Sequence, residues 1–190
     1  MSQPKTPALG YALLGLLQQK PSSGYEIRKV FSSTSLKTYS DSPGAIYPAL
    51  RRLEQQGLIR GTIEEGSGLR RRQIFRVTSR GFSQLKKWIR APITPDDLIR
   101  GQEEIMLRFA FSETAVGPAA SLELLRSLQV ALKPYLASLH KEFGASAKLI
   151  PMSGRLAFES GIRGAECLLQ WTRYAIHTYE KATHRKGSAS

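Results

Sequence analysis

The spacing of apolar residues changes several times along the chain, and each change marks an element. Residues 8–19 are apolar at nearly every position, which predicts a first helix buried in the core. Lys20-Pro21-Ser22-Ser23-Gly24 is a run of turn formers. A short helix over 25–31 follows, with Ile27, Val30 and Phe31 inward, and 32–41 reads as a polar loop. Ser42 then offers an N-cap and Pro43 the first helical position. Ile46, Leu50 and Leu53 form one buried stripe of a helix that runs to about Gln56 and stops at Gly57. Beyond it the period shortens to that of a strand. Leu58, Ile59, Thr62 and Ile63 lead into Glu65-Gly66-Ser67-Gly68, and Gln73-Ile74-Phe75-Arg76-Val77 returns, giving a two-stranded ribbon with a glycine tip. Thr78 caps a further helix whose apolar face is Phe82, Leu85, Trp88 and Ile89.

Helix, short helix, helix, ribbon, helix is the order of a winged helix-turn-helix. Its third helix has the size to enter a DNA major groove, and a basic ribbon can follow the adjacent backbone. Arg90-Ala91-Pro92-Ile93-Thr94-Pro95 then interrupts helical hydrogen bonding twice and reads as a domain seam. The remainder reads as wholly helical. Thr94-Pro95-Asp96-Asp97 starts a helix with core residues Ile105, Met106, Phe109 and Phe111. Another begins near Pro118, lined by Leu122, Leu125, Leu132, Leu136, Leu139 and Phe143, and residues 151–154 break it. The last helix carries a heptad seam of Phe158, Ile162, Ala165, Leu169, Thr172, Ile176 and Tyr179, suited to pairing with a second copy or to core within one chain. The expected fold is mainly α with a small β-wing: a winged helix-turn-helix over 8–91 and an all-α dimerisation domain over 94–182. Residues 1–7 and 183–190 read as loose ends.

Charge sharpens this division. The chain of 190 residues carries a formal charge of +13. Residues 1–92 hold 16 Lys and Arg against 5 Asp and Glu, whereas 93–190 hold 12 against 10. The first half therefore has the character of a polyanion-binding surface and the second that of an ordinary helical domain. A single cysteine, Cys167, leaves no intramolecular disulfide; beside Leu168 and Leu169 it reads as a buried thiol. The three histidines lack metal-ligand spacing, so no metal or cofactor is expected. The apolar run 8–17 resembles a signal peptide but lacks a small-x-small cleavage site, and no run approaches the ~20 residues of a membrane span. A cytoplasmic location is expected. No HExxH, nucleophile elbow or phosphate-binding glycine loop is present, so an enzyme is not expected.

With Ile46, Leu50 and Leu53 inward, the third helix turns Gly44, Ala45, Tyr47, Pro48, Arg51 and Arg52 wholly or partly outward. Tyr47 and Arg51 are four apart and share a face. Tyr can hydrogen-bond a phosphate, and Arg can fork onto phosphate or guanine. Gly44 and Ala45 are small enough for close approach of the helix start to DNA. Arg70, Arg71 and Arg72 crowd like charges beside the glycine tip, a repulsion that a polyanion relieves. Ser42 has the hydroxyl for a phosphate, although capping alone accounts for it.

These stretches resemble the PadR-type transcriptional regulators. The matching pieces are Leu13-Leu14-Gly15-Leu16-Leu17, Pro21-Ser22-Ser23-Gly24-Tyr25-Glu26-Ile27, Gly44-Ala45-Ile46-Tyr47-Pro48-Ala49-Leu50-Arg51-Arg52-Leu53-Glu54, Gly57-Leu58-Ile59, and Arg72-Gln73-Ile74-Phe75-Arg76-Val77-Thr78 with Gly81. In order and at the usual separations they cover residues 8–90. The resemblance implies a winged-helix homodimer on an inverted-repeat operator, with double-stranded DNA as partner. It implies repression relieved by a small aromatic or hydrophobic effector, whose binding residues it does not assign. By position it implies that Tyr25, Ser42, Gly44, Ala45, Tyr47 and Arg51 face DNA. Ala45 stands where many relatives have Thr or Gln, so only its methyl is offered to a base. Two other readings fit the residues: a sequence-neutral architectural DNA-binding protein, and a helical protein-interaction adaptor.

Overall fold

The computed structural model describes residues 6–40, 42–65 and 71–187. The chain divides into two compact units, Met1–Ile89 and Arg90–Ser190.

In the first unit, α1 (Ala8–Gln19) is buried along most of its length, with Ala12, Leu13 and Leu14 fully covered. Tyr11 lies flat on Trp88, ring centroids 4.2 Å apart, which fixes α1 against the helix that ends the unit. The end segment 1–7 is not wholly loose: Thr6 is buried and accepts a 2.8 Å hydrogen bond from the Gln84 amide. Residues 1–5 lie outside the described residues.

Ser22–Ser23 forms a short strand, β1, and α2 spans Gly24–Ser33. Ile27 and Phe31 point inward as the periodicity predicts, but Val30 is 37% exposed. It precedes Phe31 by one residue, about 100° around the helix, and Phe31 takes the core position. The polar loop contains a single 3₁₀ turn, Ser35–Thr38. Helix α3 (Pro43–Gln55) is capped by Ser42 and buries Ile46, Leu50 and Leu53. It stops at Gly57, whose φ of +68° lies in the left-handed region that favours glycine. The ribbon pairs β2 (Ile59–Glu65) with β3 (Arg71–Val77), antiparallel, from Ile59↔Val77 to Glu65↔Arg71. β1 adds to the far edge of β3 through Ser22↔Phe75 and Ser23↔Ile74, making a three-stranded sheet. The glycine tip, with Arg70, lies outside the described residues.

Helix α4 (Ser79–Ile89) closes the unit. Thr78 accepts from the Gly81 N–H and donates to the Gly57 and Leu58 carbonyls. Gly81 packs so tightly that a Cβ there would overlap the Leu58 carbonyl.

The second unit is all helical. The start expected at Thr94 is formed, with Thr94 and Asp97 in a reciprocal capping box, but the helix is short. It divides into α5 (Pro95–Arg100) and α6 (Gln102–Val116), because Gly101 leaves helical geometry. Arg108 of α6 is buried and donates to the Ala91 carbonyl. Helices α7 (Pro118–Ser146) and α8 (Met152–Gly187) follow, so backbone expected to be loose beyond 182 remains helical to Gly187.

The core of this unit joins Leu98 and Ile105 to Leu128, Leu132 and Leu136 of α7 and to Ile162, Ala165 and Leu169 of α8. The heptad seam is therefore turned onto its own chain. Ile162, Ala165, Leu169 and Thr172 are buried, and Phe158, Ile176 and Tyr179 are half-buried. Phe158 stacks obliquely on Phe143, and Tyr179 donates a 2.7 Å hydrogen bond to Glu113. Leu128, absent from the predicted stripe, completes the apolar edge of α7. Cys167 is exposed rather than buried. It lies two residues from Ala165 and from Leu169, which turns it to the opposite side of α8. Among the described residues, no helix is long and apolar enough to cross a membrane, and no cluster of His, Cys, Asp or Glu could hold a metal ion.

Candidate nucleic-acid interface

The first unit carries an open cleft of about 820 Å³ where α2, α3 and β3 meet. Its chemistry comes from Tyr25 and Lys29 on α2, Tyr47 on α3, and Arg71, Arg72 and Gln73 on β3. Each element is fixed locally. The β1 strand pairing sets the entry to α2, where Ser23 and Glu26 form a capping box. The Ser23 N–H and hydroxyl donate to the Glu26 carboxylate at 2.7 and 2.8 Å, and Ser23 Oγ accepts from the Glu26 N–H at 3.3 Å. Those donors hold the Glu26 pKa below its usual 4.5; Lys20 and Arg72 act in the same direction and partial burial opposes them. Glu26 is thus a spent acceptor, tied into the helix start, while Lys29, Arg71 and Arg72 keep the cleft cationic.

The α3 helix is set by its cap at one end and by Glu54 at the other. Ser42 Oγ accepts from the Gly44 N–H at 3.2 Å, and Glu54 Oε1 accepts from the Gly61 N–H of β2 at 2.7 Å. The second bond ties α3 to the ribbon, so the two elements present their side chains in a fixed relation. Arg76 and Glu64 pair across the ribbon at 3.0 Å, leaving Arg71 and Arg72 as the exposed cations of its described outer end.

The residues expected to meet DNA line two different surfaces. Tyr25 is 62% exposed and Tyr47 40%, and both line the cleft with Arg71 and Arg72. Ser42, Gly44 and Arg51 are exposed on α3, outside the cleft lining. Gly44, Ala45 and Arg52 instead border a smaller pocket of about 260 Å³ shared with Thr6, Pro7 and Leu9. Ala45 and Arg52 lie almost two helical turns apart on one side of α3, and Tyr47 lies on the other, so one helix cannot turn all of them to one surface. Lys29, Gly24 and Gln73 were not singled out from the sequence. Lys29 had a signal, since it stands four residues after Tyr25 on the same helix face. Arg28 adds a cation over the Tyr25 ring at 5.8 Å.

Comparison with known proteins gives this arrangement a context. Residues 13–87 match the transcriptional regulator PadR-like family. The negative transcriptional regulator PadR of Bacillus subtilis is 34% identical over 106 residues, 54% of this chain and 56% of that protein. A crystal structure of a PadR-like transcriptional regulator from Bacillus cereus is 32% identical, covering 42% of this chain and 75% of that one, with a TM-score of 0.34. The crystal structure of Bacillus subtilis PadR in complex with operator DNA is 22% identical, covering 91% of this chain and 99% of that one, with a TM-score of 0.43. The chain spans about half the length of the curated relatives it matches.

Proposed function

Since the chain belongs, through residues 13–87, to the transcriptional regulator PadR-like family, we propose that it is a sequence-specific DNA-binding regulator that works as a homodimeric repressor on an inverted-repeat operator. The observation that carries this reading is the shared cleft: Tyr47 of α3 stands beside Arg71 and Arg72 of the ribbon and Tyr25 and Lys29 of α2. In this reading α3 enters the major groove and Tyr47 contacts a base edge or its phosphate, with Arg51 on the same helix face. Arg71 and Arg72, with Arg70 beside them in the sequence, neutralise backbone phosphates and set register rather than sequence. The protein acts by binding rather than by catalysis, in the cytoplasm.

Two heads on one inverted repeat must be spaced by about one helical turn of DNA, ~34 Å. The second unit would set that spacing. Its seam is already covered within the chain, so a partner copy would meet other surfaces, among them the exposed apolar Val130, Leu156 and Tyr174 of α7 and α8. A small aromatic or hydrophobic effector would alter the spacing and release DNA. An apolar groove of about 780 Å³ between α5 and α7, walled by Leu98, Ile99, Val130, Pro134 and Tyr135, has the size and lining such a ligand needs.

Fluorescence anisotropy of the full chain tests the reading, on DNA from immediately upstream of its own gene and on a scrambled duplex of equal length. Preference for the upstream duplex by at least ~10³ at physiological salt is the expected result. Equal binding to both, collapsing steeply with salt, would replace it by a sequence-neutral architectural role. No binding at moderate salt would replace it by a protein-interaction adaptor.

A further inference from the structure

Gly24 is the first residue of α2 and is buried in the floor of the cleft. Its backbone does not call for glycine, because the positive-φ glycines among the described residues are Gly57 and Gly117. The reason for glycine is a neighbour. A Cβ at position 24 would stand 2.6 Å from Cε1 of Tyr47 and 3.3 Å from its Cδ1 and Cζ, so one whole edge of the ring rests where a side chain would be. No real Cβ tolerates 2.6 Å, so one of the two residues would have to shift.

The surroundings decide which. The Gly24 backbone is held on both sides: Ser23 pairs with Ile74, the Ser23–Glu26 capping box closes the helix start, and Ile27 anchors α2 in the core. Tyr47 is 40% exposed and turns about its own side-chain bonds. The ring is therefore the part that moves. We propose that Gly24 is a positioning residue for DNA reading: by lacking a side chain it seats the Tyr47 ring against α2 and fixes where the phenol meets DNA. The proposal rests on the DNA-binding reading of the cleft and adds to it a residue that touches no nucleotide. The seat also places the ring before DNA arrives, so its rotamer entropy is not lost on binding.

A double-mutant cycle tests this with the full chain. The probe is the duplex that the wild-type protein enriches from a randomised pool, with a scrambled duplex as control. Gly24→Ala is expected to weaken binding to the enriched duplex by about tenfold, the scale of one lost base-pair contact. It should change the scrambled duplex less than twofold and leave the salt slope as it was. In a Tyr47→Ala background, Gly24→Ala should have no further effect. Thermal unfolding separates positioning from packing. Ala at a helical position is favoured over Gly in itself, so Gly24→Ala should melt at or slightly above the wild type. If Gly24→Ala alone unfolds the protein and Tyr47→Ala restores folding, the contact is one of packing and the positioning role is overturned. Equal losses on both duplexes, equal losses in both backgrounds, or wild-type binding by Gly24→Ala would overturn the proposal. Tyr47→Ala binding the enriched duplex as well as wild type would remove Tyr47 from the DNA reading itself. A pool that never enriches would overturn both.

Discussion

The two units place their charges in opposite ways. In Met1–Ile89 there are 15 basic side chains and 5 acidic ones, and in Arg90–Ser190 the counts are 13 and 10. In the second unit cations are interspersed with partners: Arg126 meets Glu180 at 2.8 Å and Arg100 meets Asp96 at 3.6 Å. In the first, Lys29, Arg71 and Arg72 gather with two tyrosines on one open surface. Each unit has a buried core, so the core does not distinguish them. The excess cation in one half and its concentration beside exposed aromatics do. The second unit turns its most regular apolar pattern inward, which makes its packing the feature to perturb.

The largest effect should come from that packing. Leu132 is fully buried between α7 and α8, so Leu132→Ala should destabilise the protein by ~2–5 kcal/mol, read by denaturant unfolding. At a temperature where the variant is still folded, one DNA head should keep its intrinsic contacts, while tight binding to two half-sites should weaken. Unchanged stability would mean the α7–α8 core does not hold this unit.

Next is the charge itself. Arg71→Ala with Arg72→Ala should weaken binding to every duplex alike and reduce the slope of log K against log salt by about two. The matched pair Arg163→Ala with Arg173→Ala, exposed on α8, should change neither. Equal effects from the two pairs would break the comparison, since charge would then act wherever it sits.

Glu26 gives a smaller and pH-dependent effect. Ser23 holds its folded pKa below the usual 4.5, so the folded state keeps the charge while the unfolded chain has taken a proton. The stabilisation is complete above about pH 4.5 and is lost as pH falls through the folded value. Glu26→Gln should cost about 0.5–1 kcal/mol at neutral pH, the scale of a weakened cap. The melting temperatures of variant and wild type should converge in acid. Parallel curves down to low pH would show that the capping box does not carry the shift. The smallest effect is expected at Cys167, exposed and off the buried edge of α8: Cys167→Ser should stay within ~0.5 kcal/mol of wild type in the same unfolding experiment.

Local signals explain which parts were legible in the sequence. Helix α3 announced itself through Ser42 and Pro43 at its start and Gly57 at its end, and α4 through Thr78; these residues act within a turn of the place they mark. β1 had no such signal, because two serines become a strand only by pairing with Phe75 and Ile74. The break at Gly101 was not legible, because a single glycine between Arg100 and Gln102 does not by itself end a helix. The seam on α8 was visible as a stripe, but a stripe does not say whether its partner is α7 or another chain. Within the candidate site, exposure and charge pointed to Tyr47, Arg71 and Arg72, and family resemblance to Tyr25. Ala45 and Arg52 were grouped with Tyr47 because all were off the buried stripe; the structure puts them on the opposite flank of α3. Gly24 gave no sign, since its part is an empty volume occupied by a residue distant in the chain.

Hydrogen exchange of the full chain, with and without its upstream duplex, tests most directly whether the first unit alone reads DNA. Protection on binding should be confined to the first turns of α2, to α3 and to the ribbon, with the amides of α6 and the middle of α7 and α8 unchanged within each protomer. Protection centred on α7 and α8, with α3 and the ribbon unaffected, would contradict the account.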